Sequence, residues 1–177
     1  LKARLNELNR LLKVSQAVAS HLSAGEAIQP VLEAALLHGA NSARIVLSSE
    51  VAGDTSEGKL IAYGNGQATN RYSLLDGQIY GLMEGEDILS LPNCQRSHRL
   101  RADAPADLPG AMLAVAIHHN AQYFGALWIA FETPTLFTQE DVRFLGTLAG
   151  QAALAAANSA WYTSAEMGRR RLEAVLT

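Results

Sequence analysis

The residues most able to do chemistry are concentrated in one stretch, 93–109. It holds the chain's single cysteine, Cys94, with His98 and three arginines, Arg96, Arg99 and Arg101. A lone thiol can act as a redox sensor, or pack as a small apolar group, which is the commoner fate of an unpaired cysteine. It forms no internal disulfide, and without further cysteines there is no zinc cluster to join. His98, if it faces a cavity, could ligate haem or hydrogen-bond an anionic ligand. The arginines beside it could gather a carboxylate or a phosphate, because a guanidinium fork matches either group. The same short run of charge also reads as a solvated loop.

Three other groupings are weaker. His118 and His119 lie at the end of an apolar run that reads as a strand, so they point to opposite faces and do not share one metal. Arg169, Arg170 and Arg171 could meet DNA or acidic lipid, but on a helix they read as the solvated face of a linker. The sequence carries no Gly-rich phosphate loop, no Gly-x-Ser-x-Gly elbow and no His-Glu-x-x-His pair. No catalytic constellation emerges, and we expect no enzyme activity and no metal.

Composition sets the frame for these residues. The chain has 177 residues, 49% of them hydrophobic and 18% charged, with a net charge of −3. This is the composition of one globular domain with a core of its own, and it lacks the basic footprint of a nucleic-acid binder. The longest apolar runs, near 111–117 and 124–131, fall far short of the roughly 20 residues of a membrane helix. The first residues read as a helical seam, and no signal peptide is expected in this stretch. We expect a cytoplasmic segment of a longer protein, because the chain starts and stops inside helical patterns.

The elements that must position the candidates can be read in order. Leu1, Leu5, Leu8, Leu12, Ser15, Ala19 and Leu22 step by fours and threes, a heptad seam suited to a partner helix or to the domain itself. Ser23 and Glu26 have capping-box spacing before a second helix, with Pro30 expected in its first turns and Gly39 at its end. Strands are predicted at 43–49 and 60–63, paired as a hairpin, and a further short one at 71–74. A short helix is expected over 77–84, a strand at 87–91, and then the irregular stretch 93–109, a loop long enough to suggest a role. Two strong strands follow, 111–117 and 123–131, joined by the polar residues 118–122. Thr138 and Asp141 have cap spacing before a last helix that runs without proline to Leu176, with an alanine-rich body that would admit another helix closely.

This order predicts an α+β fold, an antiparallel sheet bracketed by long helices. The ordered set resembles a GAF domain, the small-molecule-sensing module of signalling proteins. The resemblance rests on residues 12–19 with 27–35 for the opening helices and 40–47 for the first strand. It continues through 112–117 with 124–129 for the central strand pair and 137–145 through 149–153 for the closing helix. Residues 169–176 resemble the helix that leads from such a domain into a PAS or kinase module.

The resemblance implies a bacterial sensor protein, with a histidine kinase as the expected parent in a two-component system. It implies terminal helices on one sheet face, and a short helix and loops over a pocket on the other. The division expected is a signalling helix over 1–22, the GAF domain over 23–158 and a linker helix over 159–177. Tyr72, Tyr80, Met83, His98, Arg99, Met112 and Trp128 are the expected pocket residues, although the face taken by Met112 and Trp128 depends on strand register. A homodimer is expected through Leu1, Leu5, Leu8, Leu12, Ala152, Ala155 and Tyr162. The ligand is left unnamed. A bilin attachment would call for Cys-His or Asp-x-Cys-Phe, and here Asn93-Cys94-Gln95 stands instead. Cyclic-nucleotide binders of the family carry Asn-Lys-x-Phe-Asp-Glu, of which Phe137 and nearby acids alone remain. The methionine sulfoxide reductases of this fold need several cysteines. Cofactors are therefore expected to be none. The alternative function is a ligand-free dimerisation and relay module.

Overall fold

A computed structural model describes residues 2–19, 24–36, 39–49 and 59–176, with side chains over 4–12, 25–36, 39–49 and 59–158. Five strands form one antiparallel sheet in the order β2-β1-β5-β4-β3. They are β1 (Ser42–Ser48), β2 (Leu60–Asn65), β3 (Ile88–Leu91), β4 (Ala111–His119) and β5 (Gln122–Phe131). Pairing β1 with β5 brings the first and last strands together at the centre, so each is flanked by a strand on both sides.

Alternation along these strands divides the interior into two cores. Ala43, Ile45 and Leu47 of β1 join Leu113, Val115, Leu127 and Ile129 on one face. That face is covered by α2 (Ala24–Ala35) and α5 (Gln139–Leu176), with α1 (Lys2–Ala19) lying on both helices. The other face carries Val46, Met112, Ala114, Ala126, Trp128 and Ala130. It is covered by α3 (Thr69–Tyr72), a 3₁₀ turn (Ser73–Leu75) and α4 (Asp76–Met83). The expected arrangement of long helices on one face and a short helix on the other is therefore what forms.

Several local readings need correction. The strand expected at 71–74 is helical. Ala68, Tyr72, Leu75, Ile79 and Met83 are all buried, and their spacing of three and four carries one helical stripe across the 3₁₀ turn. The link expected over 118–122 is tighter than its composition suggests. β4 and β5 extend to His119 and Gln122, and the turn is Asn120-Ala121, with φ of 50° and 65°. Two consecutive left-handed residues match the twist of the flanking strands. Pro30 lies in the middle of α2 rather than its first turns, so the hydrogen bond to the Glu26 carbonyl is missing there. The Ser23 cap lies outside the described residues. The second cap forms as expected: the Thr138 N–H donates to Asp141 Oδ2 at 2.8 Å, and the Asp141 N–H donates to Thr138 Oγ1 at 3.1 Å.

One helix is weaker than its neighbours. α4 has eight residues, two of which are glycines, Gly77 and Gly81. A Cβ at either would meet nothing within 4 Å, so packing does not require them. Each glycine costs a helix interior about 1 kcal/mol relative to alanine. α4 is held by its buried face, not by propensity.

A candidate ligand site on the sheet

The centre of the α3–α4 face is polar, and of its residues sequence reasoning singled out Trp128 but not Arg44, Asp76 or Thr69. Arg44 stands on β1 opposite Trp128 on β5, and opposite Gly64 on its other side. Arg44 and Asp76, the first residue of α4, are each only 7% exposed. The Arg44 Nε donates to both carboxylate oxygens of Asp76 at 3.0 Å, and Nη2 donates to Oδ2 at 2.7 Å. Trp128 Nε1 donates to Oδ1 at 3.0 Å. Arg44 Nη1 is turned the other way, donating to Thr69 Oγ1 at 2.7 Å and to the Thr69 carbonyl at 3.0 Å. One carboxylate thus receives donors from two strands, and one guanidinium is fixed by two helices.

Room for this arrangement comes from Gly64. A Cβ there would overlap Thr69 Oγ1 and Arg44 Nη1. Around the cluster the sheet floor is made of small residues, Ala114, Ala126 and Ala130, all buried. Ser42, one side-chain repeat along β1 from Arg44, is 1% exposed, and its hydroxyl finds no hydrogen-bond partner among the described residues.

The expected pocket residues divide into two groups. Tyr72, Met83, Met112 and Trp128 do converge on this face, all buried, which fixes the strand register that the sequence left open. Tyr80 is half-buried at the edge of the same cluster. There its carbonyl accepts the Tyr123 hydroxyl at 2.7 Å and its ring lies 5.1 Å from that of Tyr123. Burial pushes the Tyr123 phenol well up, with Tyr80 and then Glu84 adding to the effect. His98 and Arg99 do not join this group. Both are exposed, and Arg99 is paired with Glu86. Arg96 and Arg101 are exposed too, so the run of charge forms the solvated loop and not an anion patch.

The loop is instead fastened to α4. Gln78 donates from Nε2 to the Arg101 carbonyl at 2.6 Å and accepts from the Arg101 N–H at 2.9 Å. Beside this clip lies an open cleft of about 420 Å³, lined in part by Leu74, Leu75, Gln78, Asp103 and Asp107. Cys94 is fully buried beneath the same loop, its N–H donating to the Gly110 carbonyl at 2.9 Å. Burial pushes its thiol up to about 11, the opposite of an activated nucleophile. His118 and His119 diverge to opposite faces, His118 beside Tyr123 and His119 beside Phe124. Among the described residues no group of three or more His, Cys, Asp or Glu side chains could hold a metal. Nor is any described helix long and apolar enough to cross a membrane.

The expected dimer surface also divides. Leu5, Leu8 and Leu12 are 56%, 55% and 58% exposed, while Leu11 packs onto the core. Ala152 and Ala155 are not available to a second chain. Both are buried in their own domain, Ala155 against Ala27, because the alanine-rich face of α5 receives α2. The side chains of Leu1 and Tyr162 lie outside the described residues.

Comparison with known proteins agrees with this architecture. The GAF domain of a phosphoenolpyruvate-protein phosphotransferase from Coxiella burnetii superposes with a TM-score of 0.69 at 17% identity, over 90% of this chain and 98% of that one. Free methionine-R-sulfoxide reductase from Neisseria meningitidis, solved with its substrate, gives 0.63 at 16% identity, over 90% and 92%. The GAF domain of a candidate sensor histidine kinase from Pseudomonas syringae pv. tomato gives 0.57 at 17% identity, over 99% and 94%. At such identities the likeness is one of fold. No curated protein matches the sequence. A family model described as GAF domain matches residues 21–157, and the chain belongs to that family.

Proposed function

We propose that this chain is the sensory module of a cytoplasmic signal-transduction protein of the sensor histidine kinase type. It binds a small molecule on the α3–α4 face and has no catalytic activity of its own. The observation that carries this reading is α4. It is a glycine-weakened helix over the centre of the sheet, fastened by polar contacts at Asp76 and Gln78 and bordered by an open cleft. A helix held by its contacts rather than by its own propensity changes order when a ligand competes for or adds to those contacts. The signal would pass to the terminal helices, since β1 and β5 carry the polar cluster on one face and contact α2 and α5 on the other. Residues 1–22 and 159–177 then serve as connections to neighbouring PAS or kinase modules, and 23–158 as the sensor. No bilin, haem or cyclic nucleotide is required. The fully buried Cys94 and the exposed His98 support none of these and no reductase chemistry.

The test is native mass spectrometry with an absorption spectrum on protein taken from its source organism. Added mass, or a band beyond the tryptophan region, supports the sensor. A bare chain that also shows no change in hydrogen exchange over 69–86 in a metabolite extract overturns it. The second reading, a ligand-free dimerisation and relay module, is favoured by the three exposed leucines of α1.

A further inference from the structure

We propose that Arg44 is the anchor of a carboxylate-binding site, closed in this structure by the protein's own Asp76. The ligand would be a small aliphatic carboxylate that takes the place of Asp76 as α4 lifts. The proposal rests on the sensory reading above and names its ligand class.

The receptor half of the site does not belong to α4. Arg44 comes from β1, Trp128 from β5 and Thr69 from α3, and the donors of Arg44 and Trp128 converge on one carboxylate. That geometry suits a planar anion: a guanidinium edge on two oxygens and an indole N–H on one of them. Only the carboxylate itself is supplied by the weak helix. Departure of α4 would take from Arg44 its counter-charge while Thr69 still holds one of its nitrogens, so the open state favours an anion in the place of Asp76. A cation or a neutral ligand leaves that charge uncompensated. A carboxylate restores it, and Asp76 regains water.

Two further features fit an exchange of this kind. The 3₁₀ turn at Ser73–Leu75 separates α4 from α3, a break that lets α4 move while Thr69 stays on Arg44. Ser42 offers a buried hydroxyl with no partner among the described residues, on the same face as Arg44 and one repeat along the strand. The floor between and beyond these groups is Ala114, Ala126 and Ala130, which offers apolar contact to a short aliphatic chain. Asp76 then acts as an intramolecular competitor, and the apparent affinity is the intrinsic one reduced by the small open fraction.

The experiment is a fluorescence titration in a Trp161→Phe background, so that Trp128 is the sole indole. The probes are acetate to hexanoate, succinate and glutarate, with sulfate and phosphate at matched ionic strength. Saturable change with the carboxylates but not the inorganic anions is expected. Asp76→Asn, which keeps the shape and removes the competing charge, should bind at least tenfold more tightly. Arg44→Lys, which loses the fork, should bind at least tenfold more weakly. Gly77→Ala with Gly81→Ala stabilises the closed helix and should weaken binding about tenfold while raising the melting temperature. The glycine pair carries the test should Asp76→Asn fold poorly.

The proposal is overturned by equal response to sulfate and carboxylates, by Asp76→Asn binding no more tightly, or by affinity unmoved in the glycine pair. A native ligand without an acid group, whose binding ignores Arg44→Lys, would sink it while leaving the sensory reading intact. Failure of any molecule to bind wild type or Asp76→Asn would remove both.

Discussion

Arg44 and Trp128 face each other across the β1–β5 ladder, and both donate to the same buried carboxylate, that of Asp76. The pairing neutralises Arg44 and fixes the first residue of α4 on the sheet. Taking away one partner of a buried pair costs about 3–5 kcal/mol, whereas replacing both by apolar groups of similar volume is often neutral. Asp76→Leu or Arg44→Met alone should therefore lower the urea unfolding free energy by about that amount, and the two combined by much less. Additive losses in the cycle would show that the two side chains are not coupled.

Gly64 gives a test that leaves every polar group in place. Its missing Cβ is the space occupied by Thr69 Oγ1 and Arg44 Nη1. Gly64→Ala must push these apart, and we expect a loss of about 1–3 kcal/mol with slower indole fluorescence recovery on refolding. Gly85→Ala, where an added Cβ meets nothing within 4 Å, is the matched control and should be near neutral. Equal effects at the two positions would remove the steric argument.

Much of this fold was legible because periodicity is a local property. The short apolar runs of β1, β4 and β5 and the spacing of α5 could be read from neighbours along the chain. Trp128 and Met112 were legible as residues but not as a face, since their direction turns on one residue of register. Asp76 and Arg44 were not legible at all. They are 32 positions apart, and nothing in a single sequence says that two charges will meet inside. The helix at 71–74 shows only in a window longer than four residues. Tyr72, Leu75, Ile79 and Met83 carry a helical stripe, but Tyr72 beside Ser73 and Leu74 also fits a short strand, and the longer window decides. Of the polar residues in this stretch, His98 and Arg99 do not reach the pocket expected of them, while Arg96, Arg99 and Arg101 form the solvated loop that a short run of charge also predicts. In the structure they line the outside of the loop, and its one fully buried reactive group, Cys94, faces inward.

Cys94 should be nearly inert in the folded state. With its thiol pushed up to about 11 from 9, the thiolate fraction at pH 8 falls roughly a hundredfold, and burial denies access as well. Reaction with Ellman's reagent at pH 8 should be at least a hundredfold slower in buffer than in 6 M guanidinium. Comparable rates would mean that the loop over 93–109 opens readily.

Alkaline pH should destabilise the domain. The Cys94 thiol is held up by burial, as are the phenols of Tyr63, Tyr72 and Tyr123. Each group keeps its proton longer when folded than when unfolded, so the unfolded state binds fewer protons as pH rises. Stability then falls from about pH 9 upward, through the raised thiol value and into the phenol range. Cys94 alone accounts for roughly 2 kcal/mol between pH 9 and 11. Cys94→Ala should flatten that first segment of the curve and leave the later decline, attributable to the tyrosines, in place. A wild-type curve that is flat between pH 8 and 11 would contradict the assignment.

The stripe Leu5, Leu8 and Leu12 points away from the domain, and Leu11 points into it. α1 therefore uses one face within the chain and leaves the heptad face for another helix. Burying the exposed part of each leucine contributes roughly 1–2 kcal/mol, so the paired stripes of two chains give on the order of 6–12 kcal/mol. Association costs about 4–15 kcal/mol, which places a dimer built on this stripe near micromolar affinity or weaker. Sedimentation velocity should show a monomer–dimer equilibrium between about 1 and 200 μM. Leu8→Gln should shift it fully to monomer without lowering the melting temperature measured at low concentration, because more than half of Leu8 is exposed to solvent. A wild type that stays monomeric at 200 μM would leave the stripe without a second copy. A Leu8→Gln variant that melts early at 1 μM would place the leucine in the domain's own packing.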